Sequence, residues 1–175
     1  DLHDQPIHGL QAGWTEDGIL LHTPSPLGRA TLVPVLPGKW ISVTPRLHRF
    51  QAEGPLPKGT SLEIRAEMEG RGTMTASLGA EPLEMLWHDA EERGARPWIR
   101  FCLNGAANGV SVTLMEEKGG SVGLEEPREE AGDPGCPGGT AWETRPAEDL
   151  ARDAGFTVTA KAEGMEESFM FRTNP

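Results

Sequence analysis

Two cysteines, Cys102 and Cys136, are the residues of this chain best equipped to do chemistry, and their settings differ. Cys102 lies in the strand-like run Ile99-Arg100-Phe101-Cys102-Leu103. Side chains alternate along a strand, so Ile99, Phe101 and Leu103 share one face and Cys102 shares the other with Arg100 and Asn104. Cys136 lies in Asp133-Pro134-Gly135-Cys136-Pro137-Gly138-Gly139, which reads as an irregular loop. A cysteine on a polar strand face is poor core filler. A Cys102–Cys136 disulfide pinning the loop onto the sheet explains both positions and implies an oxidising compartment.

Other reactive side chains do not assemble into a site. His3, His8, His22, His48 and His88 show no zinc spacing, and no CxxC accompanies them. If Asp1 is the mature N-terminus, its amine, two amide nitrogens and the His3 imidazole form a square-planar set for Cu(II) or Ni(II). A tail with an incidental histidine is the plainer reading, and we assign no metal. His88 and Asp89 are adjacent, so in a strand they point to opposite faces. No Gly-x-Ser-x-Gly elbow supplies a nucleophile. With 27 acidic residues, paired carboxylates for glycoside hydrolysis carry no specificity. Glu116, Glu117, Glu125, Glu126, Glu129 and Glu130 lack the Ca²⁺-loop pattern and read as a solvated acidic stretch. No strand-to-helix glycine motif marks a nucleotide site. We assign no catalytic residues and no cofactor.

The tryptophans are the remaining candidates. Trp14, Trp40, Trp98 and Trp142 fall at strand ends or in loops, where indoles either close a sandwich or form ligand platforms and interfaces. These four are the candidate binding residues. The disulfide would draw the segments of Trp98 and Trp142 together. Trp87 reads as core or interface.

The elements that must hold these residues are strands. The chain has 175 residues, 37% hydrophobic, with Gly 22 and Pro 15. That is turn-rich but long enough to bury a core. A net charge of −11 argues against nucleic acid and anionic membrane surfaces, and no apolar run approaches the ~20 residues of a membrane span. The clearest pattern is Leu62, Ile64, Ala66 and Met68 alternating with polar residues, a turn at Gly70-Arg71-Gly72, then Met74, Ala76 and Leu78. This is an antiparallel hairpin with one buried face. A second hairpin spans 156–162 and 168–172, and further strands are expected at 83–87, 98–103 and 109–115. Pro34 makes 30–36 an edge strand or bulge. The best helix is short, over 146–154, closed by Gly155.

Together these give an all-β, antiparallel β-sandwich of jelly-roll type with at most one short helix. We expect an N-terminal arm at 1–18 and one sandwich domain over 19–175, interrupted by a long acidic, Gly/Pro-rich loop at 116–146. The core should comprise Leu62, Ile64, Met68, Met74, Leu78, Phe101, Val110, Val112, Leu114, Phe156, Val158, Phe169 and Phe171.

Residues 109–122, from Gly109-Val110-Ser111-Val112 through Lys118-Gly119-Gly120-Ser121-Val122, look like a strand–turn passage of chaperone–usher fimbrial subunits. That resemblance implies a secreted sandwich with one disulfide. Leu56-Pro57-Lys58-Gly59-Thr60 before the first hairpin is similar to a passage of jelly-roll carbohydrate-binding modules.

The function expected is a non-catalytic extracytoplasmic module for binding or assembly: a surface, adhesion or particle-forming subunit. The alternative is a carbohydrate-binding module of a larger secreted enzyme, and the third reading is a hydrolase. Partners would be protein, by self-assembly or as a receptor, or a glycan, with no nucleic acid and no membrane insertion. The location would be secreted, periplasmic or at the cell surface.

Overall fold

The computed structural model describes residues 8–91, 94–130 and 132–175. The Asp1–His3 segment weighed above as a square-planar metal set lies outside these residues. The chain divides into two compact units where the sequence reading drew one domain: Asp1–Leu56 with Thr60–Glu81, and Pro57–Gly59 with Pro82–Pro175.

Among its described residues the first unit holds seven strands: β1 (Gln11–Trp14), β2 (Gly18–His22), β3 (Leu27–Val33), β4 (Gly38–Thr44), β5 (Leu47–Ala52), β6 (Leu62–Met68) and β7 (Gly72–Leu78). They form two antiparallel sheets, ordered β1-β2-β5-β4 and β3-β6-β7. Ile19, Leu21 and Phe50 of one sheet meet Leu32, Leu62, Ile64 and Leu78 of the other in a single core. The segment read as an arm therefore contributes β1, which pairs with β2 from Gln11 opposite His22 to Trp14 opposite Ile19. The 62–78 hairpin forms as expected, with Leu62 opposite Leu78 and Met68 opposite Gly72. Strand β3 is an edge strand and stops just before Pro34, which cannot donate to a ladder.

The second unit holds β8 (Met85–Ala90), β9 (Ile99–Leu103), β10 (Ser111–Glu116), β11 (Ser121–Val122), β12 (Arg128–Glu130), β13 (Thr140–Thr144), β14 (Gly155–Ala162) and β15 (Met165–Arg172). One sheet runs β12-β13-β9-β8 and the other β11-β10-β14-β15. Ile99, Phe101 and Leu103 face Leu114, Phe156, Val158, Ala160 and Phe169 across the core. The 155–172 hairpin turns through Glu163 and Gly164, both at positive φ, the backbone that a two-residue type I′ turn requires.

Both units are antiparallel sandwiches. Their winding is specific. In the first, taking strands in chain order as A to G, the sheets are A-B-E-D and C-F-G. In the second, the orders correspond to A-B-E-D and C′-C-F-G. This is the immunoglobulin-type Greek key, where the sequence reading leaned to a jelly roll.

Two local expectations change. Residues 116–146 are not a structureless loop: they supply β11, β12 and β13. Strand β12 is Arg-Glu-Glu and is held by ion pairs, so it carries no apolar alternation to read. Residues 146–154 form turns and bends rather than a helix. Nine residues repay helix nucleation poorly, and the local backbone bonds elsewhere. The Leu150 amide donates to the Ala95 carbonyl at 2.8 Å. The Thr173 hydroxyl donates to the Ala151 carbonyl at 2.7 Å and accepts from the Ala154 amide at 3.0 Å. Among the described residues no helix is long and apolar enough to cross a membrane.

Of the thirteen residues expected in the core, Leu62, Ile64, Met68, Leu78, Phe101, Leu114, Phe156, Val158 and Phe169 are buried. Met74, Val110, Val112 and Phe171 are half-buried.

Candidate functional site

The outer face of the β12-β13-β9-β8 sheet carries the disulfide and a shallow trough beside it. Cys102 and Cys136 are bonded, with Cα atoms 5.7 Å apart, inside the normal span for a disulfide. Cys102 is on the face opposite Phe101, as alternation requires, yet only 1% exposed. Cys136, Ala141 and the indole of Trp87 cover it. Trp87 stands opposite Cys102 in the β8–β9 ladder, and its Nε1–H donates to the Gly135 carbonyl at 2.8 Å. The Asp133 carboxylate accepts the Gly135 amide at 2.7 Å and the Asp133 carbonyl accepts the Cys136 amide at 3.0 Å, so the cysteine loop is a closed turn. Gly139 is needed there. A Cβ at this position would lie 2.0 Å from the Leu103 carbonyl oxygen.

The trough has a volume of about 370 Å³. Trp87 and Trp98 line it, with Arg100, Arg128, Glu130 and Asp133. Trp98 immediately precedes β9, and Trp87 pairs with Cys102 four residues further on. At ~3.3 Å per residue the backbone positions that carry the two indoles are offset by roughly 13 Å along the strand direction.

Glu143 lies across the floor between them. It is 5% exposed. In the sheet register it is opposite Arg100 on β9 and Arg128 on β12. Arg128 donates to one carboxylate oxygen, and Arg100 Nε is 3.3 Å from the other. Arg128 also pairs with Glu130 at 3.3 Å. The Arg128 hydrogen bond holds the Glu143 carboxyl below the usual carboxylate range, against the burial that raises it, with Glu130 and Arg100 adding to the lowering. The same bond raises Arg128 above the ordinary arginine value. Glu143 is thus held between two guanidiniums, which favour its charged form.

Trp98 is held from the other side. The Arg145 guanidinium lies 4.6 Å from its ring centre, a cation–π contact. Glu125 in turn fixes Arg145 at 3.2 Å and Arg96 at 2.8 Å. Arg96 Nε donates to the Pro146 carbonyl at 2.9 Å. The Trp98 amide donates to the Glu91 carboxylate at 3.2 Å.

Of the four tryptophans singled out from sequence, only Trp98 and Trp142 come together here. Trp142 borders the trough, but its indole packs on the core with Phe101 and Leu103, and its Nε1–H donates to Thr140 Oγ1 at 3.1 Å. Trp14 and Trp40 belong to the first unit. Trp14 Nε1–H donates to the Gly79 carbonyl at 2.9 Å. Trp40 lies against Phe50, with ring centres 5.3 Å apart. Both pack on the first core. Sequence reasoning set Trp87 aside as core or interface. The signal for it was register: the residue opposite a disulfide cysteine on an edge strand must cover it. Arg100, Arg128 and Glu143 were hidden because their alliance exists only across three strands. His88 stacks on Phe169, ring centres 4.1 Å apart. Asp89 stands opposite Arg100, so the adjacent His88–Asp89 pair does not face one way.

No known family profile matches this chain, and no curated protein does. Among solved structures, one titled "Anomalous substructure of Titin-A168169" is 11% identical over 97% of this chain and 91% of that one, with a TM-score of 0.36. The sandwich assignment rests on the strand orders.

Proposed function

We propose that this chain is a non-catalytic extracytoplasmic module that binds a partner at a surface, and that the trough on the β12-β13-β9-β8 sheet is where it does so. One observation carries the reading: two half-buried indoles, Trp87 and Trp98, flank a floor in which the buried Glu143 carboxylate is already paired with Arg100 and Arg128. Preorganised aromatic and polar groups suit binding. They do not suit hydrolysis, because Glu143, the most buried carboxylate among the described residues, is tied up in salt links. The disulfide supports an oxidising location, since such bonds persist outside the cytosol.

The test uses the whole chain. Fluorescently labelled protein is titrated onto intact cells of the producing organism and onto their isolated envelopes, and thiol alkylation in the living cell reports the cysteine state. Saturable association and fully oxidised cysteines are expected, with association reduced in Trp98→Ala. Sedimentation tests the assembly form of the same reading, in which a species above 18.9 kDa would form. Non-saturable association, a monomer at all concentrations and free thiols in the cell would together overturn the reading.

A further inference from the structure

We infer that the trough takes a neutral oligosaccharide, more than one sugar ring long, laid across the sheet from Trp98 towards Trp87. This deepens the binding reading above and rests on it.

The charge pattern excludes the simplest alternatives. Both floor arginines are committed: Arg100 to Glu143, and Arg128 to Glu143 and Glu130. An anionic ligand would find no uncompensated guanidinium and would have to displace a carboxylate. A cationic ligand would meet Arg100, Arg128 and the nearby Arg145, and of the carboxylates lining the trough Glu130 and Glu143 are ion-paired, leaving Asp133 to face it. Asp133 accepts the Gly135 amide. The floor is thus near charge balance but dense in hydrogen-bonding groups.

Those groups match hydroxyls. A guanidinium has five N–H donors, and the ion pairs here use only some of them. Carboxylate oxygens each accept more than one hydrogen bond, so Glu130 and Asp133 retain acceptor capacity. A surface presenting donors and acceptors side by side, with little net charge, complements a vicinal diol, which both donates and accepts. The indoles supply the other half of sugar recognition. A pyranose has an apolar C–H face that packs flat on an aromatic ring, while the indole N–H stays polar. Trp98 is fixed for this by Arg145, and Arg145 by Glu125. Trp87 is fixed by its bond to Gly135 and by the disulfide beneath it. The roughly 13 Å offset of their backbone positions along the strand is longer than one ring and suits an extended chain. A volume of about 370 Å³ falls within the usual range of small-ligand sites. None of the exposed large apolar side chains, Leu86 beside Trp87 included, lines the trough, so beyond its indoles it offers a protein partner no apolar patch.

The experiment is isothermal titration of the full, oxidised chain with cello-, xylo-, manno- and chito-hexaose, and with polygalacturonate as the anionic arm, followed in parallel by tryptophan fluorescence. At least one neutral hexaose is expected to bind and shift the emission, with an affinity nearly unchanged between 50 mM and 500 mM salt. Trp98→Ala should weaken that binding at least ~30-fold, as loss of an aromatic anchor does. Trp98→Phe should restore most of it, and Glu130→Gln, which leaves the fold's core untouched, should weaken it several-fold. Heat and emission unchanged with every neutral hexaose, binding confined to polygalacturonate and abolished by salt, or wild-type affinity in Trp98→Ala would each overturn the inference. Periodate treatment of the envelopes separates the two levels. Association that survives periodate sinks the glycan inference while the binding function stands. Loss of all saturable envelope association, before any treatment, sinks the binding function itself.

Discussion

Trp87 stands directly opposite Cys102 across the β8–β9 ladder and seals the outer side of the Cys102–Cys136 bond. The bond closes a sequence separation of 34 residues. Restricting the unfolded chain by a loop of that size contributes about 4 kcal/mol. Denaturant unfolding with and without a reductant measures it directly: the midpoint should fall markedly on reduction. Trp87→Ala should leave the bond formed but make it reducible faster under native conditions, because the sulfurs lose their cover. Equal reduction rates would show that the loop alone shields them.

Glu143 serves two arginines, so its removal should be felt locally. Glu143→Ala should cost about 1–2 kcal/mol, discounted because both guanidiniums can return to water. The sign with pH follows from its lowered carboxyl. In the unfolded chain the group takes up a proton near pH 4.3, whereas folded Glu143 resists doing so. Its contribution is thus complete above that pH and is lost as the pH falls through the folded value. Thermal melts from pH 6 to pH 3 should show a shallower acid slope in the variant.

His48 gives the first unit a second, milder sensitivity. Its ring is 2% exposed. Nε2–H donates to the Pro45 carbonyl at 3.0 Å, so Nδ1 is the acceptor for the Ser42 hydroxyl at 3.0 Å. Burial lowers its pKa, and His22 adds to the lowering against the Pro45 bond that raises it. The neutral form is the folded form. Stability should be full above about pH 6.5 and decline below it, by at most ~1.4 kcal/mol per pH unit until the folded ring titrates. Calorimetry of wild type and His48→Gln between pH 7.5 and pH 5 checks this: the variant should show a flatter profile across that window.

The tryptophans bordering the trough should separate by role. Trp142→Ala removes an indole packed on Phe101 and Leu103 and should cost about 2–4 kcal/mol, near the lower end for buried aromatics. Trp98→Ala removes an indole whose partner is the Arg145 guanidinium, and should cost about 1 kcal/mol or less. Melting temperatures of the two variants, compared side by side, decide it. A larger drop for Trp98 would mean that the trough wall is a structural plug.

The core provides the control. Ile64 and Phe101 are fully buried, and truncation to Ala should cost about 2–5 kcal/mol at each. Glu63 and Glu67 alternate with the buried residues on β6, and replacing either should change stability by less than about 0.5 kcal/mol. Equal losses at both sets would put the strand register in error.

Much of this was legible because period-two alternation survives wherever one sheet face meets a core. Leu62 to Met68 show it in full, as do Phe156 and Val158, and the outward face of Cys102 followed from the same alternation. The first unit was read less well. Ile19 and Leu21 are wholly buried, but they sit in a five-residue strand whose partner β5 begins 25 residues after it ends. Strand β12 could not be read at all from apolar pattern, because Arg128 and Glu130 are fixed by charge. The division into two units was also hidden. Each sandwich is defined by which strands pair, and pairing between β9 and β13, or β2 and β5, leaves no mark on composition. The trough shares that difficulty: Trp87, Arg100, Arg128 and Glu143 become neighbours only when four strands lie side by side.

The disulfide also sets a mechanical limit. Cys102 and Cys136 bracket β10, β11 and β12, so those strands lie inside a covalent ring. A pull on the chain ends cannot draw out the 34-residue span while the bond is intact. At ~3.5 Å per extended residue the second unit should lengthen by roughly 120 Å less when oxidised than when reduced. A tether built from this chain would therefore be short and stiff in an oxidising medium and longer after reduction, with the two lengths set by where the two cysteines stand.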